Sequence, residues 1–194
     1  MSFKLEQIRR DLIANAKSSE LWDLVDVYRK QLDIKLNEAM AQGVLIAEKD
    51  PLKFVASLIT SMDRNVPIIL GNHQWGESEW VLFDQLFSPA VIFGLQKSTD
   101  GNQPIFKEKD QGSILIPTGG TSSDALRFAI HRWESLEAQS LMVQTFLGDK
   151  AINSICCLPL FHVSGLMQVI RAIASNGQIL FSQLNELELS LINI

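Results

Sequence analysis

Apolar positions first recur at helical spacing from Ser18 onward. Leu21, Leu24, Val25, Tyr28, Leu32, Leu36 and Ala39 fall on one face, and Gly43 supplies a stop. The first twenty residues carry only a weak helical pattern. Val44-Leu45-Ile46-Ala47 is a short apolar run that predicts a strand. Asp50-Pro51 then reads as an N-cap with a first-turn proline. Leu52, Val55, Ile59 and Met62 line one face of the helix that follows, and Asn65 and Pro67 end it. Ile68-Ile69-Leu70 predicts the next strand. Strand, helix and strand with short joins make the βαβ unit of a parallel sheet.

The alternation continues. After the aromatic segment Asn72-His73-Gln74-Trp75-Gly76-Glu77-Ser78-Glu79-Trp80, a helix is predicted through Trp80, Phe83 and Phe87 up to Pro89. Val91-Ile92-Phe93 follows as a strand, and the polar stretch 97–111 as a surface loop. Ser113-Ile114-Leu115-Ile116 predicts a strand running straight into Pro117-Thr118-Gly119-Gly120-Thr121-Ser122-Ser123. A helix is expected next, with Trp133, Leu136, Val143 and Leu147 on one face and Gly148 as its stop. Residues 152–160 predict a buried strand. Leu166, Val169, Ile170 and Ile173 mark a further helix closed by Asn176-Gly177, and 178–181 is the last strand. The expected fold class is α/β, a layered sheet with packed helices.

Composition narrows the function classes. The chain has 194 residues, is 46% hydrophobic and 20% charged, and so has the make-up of a globular domain with a real core. A net charge of −5 supplies no positive field for nucleic acid. Arg9-Arg10 and Arg29-Lys30 read as solvated helix faces. The opening residues turn charged at once, without a signal peptide, and no run of about eighteen apolar residues predicts a membrane span. Both cysteines, Cys156 and Cys157, are adjacent in an apolar run, match no zinc or redox pattern, and suit a buried strand in a reducing cytoplasm. The three histidines have no metal-ligand spacing, so no protein-held metal is expected.

Chemistry concentrates at Thr118-Gly119-Gly120-Thr121-Ser122-Ser123. Two glycines let the backbone approach a bulky anion, and the hydroxyls with successive N–H groups suit phosphate oxygens. Arg127 adds a fixed positive charge nearby. The loop is neither a Walker A loop nor a G-x-G-x-x-G turn. Composition alone leaves phosphate binding and an ordinary strand-to-helix turn equally open. Downstream stands Leu158-Pro159-Leu160-Phe161-His162-Val163-Ser164-Gly165. His162 and His131 taken singly read as packing or capping residues, His73 as a residue of an aromatic loop that touches a partner surface or nothing, and Trp75, Trp80 and Trp133 as core or interface aromatics.

The Thr/Ser/Gly loop after a strand resembles the phosphate-binding signature of the adenylate-forming enzymes, and the Pro-Leu-Phe-His segment resembles their second motif. The two occur in the family's order and at a family-like separation. Gly120-Thr121-Ser122, Arg127-Phe128-Ala129-Ile130-His131 and Trp75-Gly76-Glu77-Ser78-Glu79-Trp80 are most similar to o-succinylbenzoate–CoA ligases of cyanobacterial type, enzymes of quinone biosynthesis. The resemblance covers roughly residues 44 to 182. It implies the N-terminal part of the large domain of an adenylate-forming enzyme, preceded by an N-terminal helical segment over 1–43. It also implies ATP with Mg2+, a small carboxylic acid and coenzyme A as partners. Thr118, Gly119, Gly120, Thr121, Ser122, Ser123 and Arg127 would hold phosphates, and His162 would act at the acyl carboxylate. Two positions depart from the pattern: Ser123 stands where the family has Gly, and Arg127 stands in for a lysine, one residue further along. The later Tyr-Gly-x-Thr-Glu, aspartate and lid-lysine motifs have no counterpart here. The last strand is expected to lack neighbours, with a cut sheet edge open to self-association.

Overall fold

The computed structural model describes residues 3–36, 43–96, 106–118 and 125–182. Two helices and two strands open the fold: α1 (Ser18–Leu36), β1 (Val44–Ile46), α2 (Pro51–Asp63) and β2 (Ile68–Leu70). The middle holds α3 (Glu77–Leu86), β3 (Val91–Phe93), β4 (Ser113–Thr118) and β5 (Arg127–Arg132). The last part holds α4 (Trp133–Phe146), β6 (Ser154–Cys156), α5 (Val163–Ala174) and β7 (Ile179–Phe181). The larger sheet has the order β3-β1-β2-β4-β5. It is parallel from β3 to β4, while β5 joins antiparallel. This is the predicted α/β architecture.

The period of two along each strand sorts its side chains onto two faces. Val44, Ile46, Ile68, Leu70, Ile114 and Ile116 enter one core with residues of α1, α2, α4 and α5. Leu45, Ile69 and Leu115 point the other way, into a smaller cluster with Phe83 and Phe106, packed by Trp75, Trp80, Phe87 and Phe128. α2 starts where the Asp50-Pro51 pair predicts. The Lys53 N–H donates to Asp50 Oδ1 at 3.0 Å, and Pro51 occupies the first turn. Asn65 follows the end of α2 with φ at 53°, a conformation asparagine tolerates. Among the described residues no helix is long and apolar enough to cross a membrane.

Five local expectations change. Arg127 to Arg132 is a strand, registered against β4 from Thr118↔Arg127 to Ser113↔Arg132, so the glycine-rich segment joins two antiparallel strands and does not open a helix. Arg-Phe-Ala-Ile-His-Arg sets three apolar residues in succession and has no period-two alternation, so pairing with β4, and not a local pattern, makes it a strand. The strand expected over 152–160 shrinks to β6, because Pro159 cannot donate to a ladder; Ile155 is 53% and Leu158 40% exposed. After a 3-10 turn at Leu5–Gln7 the N-terminal stretch runs through turns and bends with one bridge residue, Ile13, and it buries Ile8, Leu12 and Ile13. β7 is flanked on both sides: β6 pairs with one edge, and Ile13 bridges to Ile179 on the other. The Ile179 N–H donates to Leu12 O and the Ala14 N–H to Ile179 O, both at 2.8 Å. The neighbours that β7 needs therefore precede it in the chain. Arg9 and Arg10 also lie outside any helix. Arg9 binds Asp11 and the Asn176 carbonyl, and the Arg10 guanidinium lies 4.4 Å from the centre of the Trp22 ring.

One glycine holds the turn between β6 and α5. A Cβ on Gly165 would overlap the carbonyl oxygen of Pro159, so α5 approaches the 158–162 turn only because no side chain intervenes. Elsewhere, Tyr28 of α1 donates its hydroxyl to Glu48 Oε1 at 3.2 Å, tying the helix to the residues after β1. Burial pushes the Glu48 carboxyl above its usual value, and the Tyr28 bond and Lys53 only partly offset this.

Two outcomes follow. Gly165→Ala is expected to cost about 1–3 kcal/mol, read as a lowered denaturation midpoint, because either Pro159 or the start of α5 has to move. For Glu48 the folded carboxyl binds its proton more tightly than the unfolded one. Its protonated form therefore favours folding below the unfolded pKa, and that contribution is lost as pH rises through the folded pKa. Glu48→Gln should raise the melting temperature at pH 7 and lose that advantage in acid; equal melting of the two proteins at neutral pH would contradict it.

Candidate functional site

The carboxyl ends of β2 and β4 open onto a cleft of about 320 Å3. Its lining comes from three places in the chain. Asn72, Gln74, Trp75 and Glu79 follow β2; Pro117 and Thr118 end β4, with Ala125 and Leu126 just before β5; Phe161 and His162 precede α5. Clefts at the carboxyl ends of parallel strands are the usual ligand sites of open α/β sheets, and this volume lies at the small end of the roughly 300–1,000 Å3 typical of such sites.

Each part is held by local chemistry. After β2 the chain turns on Asn72, whose Oδ1 accepts the Gln74 N–H at 2.8 Å while its carbonyl accepts the Trp75 N–H at 3.0 Å. Glu79 sits in the first turn of α3. Bonds from its own N–H, from the Ser78 hydroxyl at 2.9 Å and from the Gly76 N–H hold its carboxyl below the usual range. At the β4 end the exposed Thr118 donates its hydroxyl to the Arg127 carbonyl at 3.2 Å.

His162 is the N-cap of α5. Its carbonyl accepts the Leu166 N–H at 2.9 Å, its own N–H donates to Pro159 O at 3.2 Å, and its exposed ring is not used as a cap. No side chain caps α5, so the positive end of the helix dipole borders the cleft at His162. The buried Phe161 packs behind. Its ring centre is 4.4 Å from that of His162 and 5.8 Å from that of His73, the latter edge-on. Burial, with the nearby Lys49 charge, lowers the His73 pKa, and its Nδ1 is buried without a hydrogen-bond partner.

The structure thus brings Thr118 and His162 from two separate sequence motifs into one cleft. Arg127 is exposed on β5 beside Thr118 and is not part of the lining. Gly119, Gly120, Thr121, Ser122 and Ser123 lie outside the described residues. His131 is on β5 opposite Ile114, not on a helix. Sequence reasoning missed Asn72, Gln74 and Glu79 as lining residues. Their position just after a predicted parallel strand was the available signal. Among the described residues no three His, Cys, Asp or Glu side chains gather as a metal site.

No protein-family model matches the chain, and no curated protein matches it by sequence. Solved structures do match. The o-succinylbenzoate coenzyme A synthetase MenE from Bacillus subtilis, in complex with AMP, aligns with a TM-score of 0.66 at 14% identity over 92% of this chain and 53% of that one. ATP-bound MatB from Rhodopseudomonas palustris aligns at 0.68 and 13% identity over 94% and 44%. VinN in complex with L-aspartate aligns at 0.72 and 14% identity over 92% and 59%. The chain therefore spans about half the length of the structures it matches. At these identities the likeness is one of fold, an α/β architecture shared with part of each of those chains.

Proposed function

We propose that this chain supplies the phosphate- and acid-binding part of an AMP-forming acid–CoA ligase. The observation that carries the reading is the meeting of Thr118 and His162 in one cleft at the carboxyl ends of β2 and β4, beside the uncapped start of α5. In the reaction, a carboxylate oxygen attacks the α-phosphorus of ATP and pyrophosphate leaves, giving an acyl adenylate. The thiol of coenzyme A then attacks the acyl carbon and AMP departs. Such transfers depend chiefly on positioning and on neutralising the charge that develops.

The residues divide by charge and geometry. Thr118, with the Gly119, Gly120, Thr121, Ser122 and Ser123 segment, offers hydroxyls and N–H groups to the β- and γ-phosphates, and Arg127 beside Thr118 adds the cation. His162 and the first N–H groups of α5 take the acid carboxylate. Magnesium would enter on ATP, since its usual partners are substrate phosphates and one or two carboxylates. The likeness of the Gly120-Thr121-Ser122, 127–131 and 75–80 segments to succinylbenzoate ligases makes 2-succinylbenzoate the first acid to test.

A second reading is favoured by one observation, the placement of Arg127 outside the cleft lining. On it the chain binds nucleotide weakly without turnover.

Binding separates these readings, and turnover bears on both. A non-hydrolysable acyl-sulfamate mimic of 2-succinylbenzoyl adenylate should bind the chain more tightly than ATP, and His162→Ala should weaken it about tenfold through loss of a charged hydrogen bond. Calorimetry showing equal affinity for the mimic and ATP, or no effect of His162→Ala, would sink the ligase reading. The purified 194-residue chain on its own should release no AMP in response to acid and CoA. Acid-dependent AMP from that chain would show that this part suffices for catalysis.

A further inference from the structure

α4 carries Phe146, which at 88% is the most exposed large apolar side chain among the described residues. One turn earlier Met142 is 73% exposed, and Leu141 is exposed beside it. Spacing by three and four residues puts Glu134, Ala138, Leu141, Met142, Thr145 and Phe146 on one face, and all six are exposed. Trp133, Leu136 and Ser140 are buried on the other side, where α4 packs against α5. From Ala138 to Gly148 the sequence has no charged residue. A helix face turned to water is ordinarily polar or charged, and this one is not.

The end of the helix is closed. The Gly148 N–H donates to Thr145 O at 3.0 Å and the Asp149 N–H to Gln144 O at 2.9 Å, with Gly148 at a φ of 81°. The Thr145 hydroxyl donates to Asp149 Oδ1 at 3.0 Å. Phe146 therefore stands on a fixed turn, and burying it costs little further ordering of the backbone.

Charge brackets the apolar stretch. Glu134 precedes it and Lys150 follows it, and among the described residues neither has an ion-pair partner in its own chain. Two such faces laid antiparallel about a two-fold axis at Met142 bring together positions equally far before and after that residue. Phe146 of one copy then covers the partner's Ala138, a large side chain over a small one, and Lys150 falls opposite the partner's Glu134. A parallel pair would set each charge beside its like. The bare side chains of the face come to about 500 Å2 per copy, so two copies would bury about 1,000 Å2, the lower bound of a specific interface.

We propose that α4 is the contact face of a homodimer: two copies pack their α4 helices antiparallel through Leu141, Met142 and Phe146, with Lys150 of each copy beside the partner's Glu134. The pairing is independent of what the cleft binds, and it uses a surface other than the edge of the smaller sheet.

Sedimentation equilibrium of the purified chain reads the association directly. A monomer–dimer equilibrium with a Kd on the order of 10 μM is expected for an interface of this size. A chain still monomeric at about twentyfold that concentration overturns the proposal. An open-ended series of larger species overturns it as well, since a two-fold contact closes at two copies. Met142→Arg sets two like charges on the axis and, at an exposed position, should leave the chain folded while weakening association at least about tenfold. Undiminished association of that folded variant assigns the contact to another surface. Glu134→Lys and Lys150→Glu should each weaken association about threefold, and the doubly exchanged protein should recover it, with folding of each variant checked by its melting curve. Single exchanges without effect, or a double exchange no better than either single one, overturn the antiparallel pairing. Contact through bare apolar surface alone would not sense the signs of these two charges.

Discussion

The strands β1, β2 and β4 are buried on both faces, so their peptide groups have no water to turn to and must close the ladder among themselves. That requirement places the rest of the molecule. α1, α2, α4 and α5 share the core with one set of strand side chains, and α3 with its aromatic neighbours covers the other. The carboxyl ends of the strands are left as the place where loops from distant parts of the chain converge. The cleft is therefore a by-product of how the sheet is covered, and its lining comes from the segment after β2, the end of β4 with the residues before β5, and the turn before α5.

Much of this was legible in the sequence because the relevant signals are local. Asp50-Pro51 marks a helix start by a hydrogen bond and a fixed φ, both set within one turn. The apolar triplets at Val44–Ile46, Ile68–Leu70 and Val91–Phe93 read as buried strands because nothing polar interrupts them. What was not legible depends on partners far away in sequence. β5 has no alternation of apolar and polar residues, with Phe128, Ala129 and Ile130 in succession, and it is a strand through its pairing with β4. Leu12 and Ile13 show little periodicity, and the backbone partner of their segment, Ile179, lies far away in sequence.

The site was legible to the same extent. Thr118 and His162 could be picked out by the residue types around them, and the sheet explains why they meet. Glu79 looks like one more surface acid on a helix with Glu77 beside it. Only its position after β2, with its cap bonds, puts it at the cleft. Gly165 carries no chemistry at all, yet its missing Cβ lets α5 close onto Pro159 and so sets where His162 stands.

The pairing of Leu12, Ile13 and Ala14 with Ile179 has a consequence for how the protein is made. The same seam joins Asn15 to the Phe181 carbonyl across a sequence separation of 166 residues. Loop closure over that distance is entropically slow compared with the βαβ units, which join neighbours in the chain. During synthesis the apolar groups of Leu12 and Ile13 leave the ribosome long before β7 and wait for it. Until it arrives they are unpaired backbone and bare side chains, a surface suited to a chaperone or to a misplaced strand.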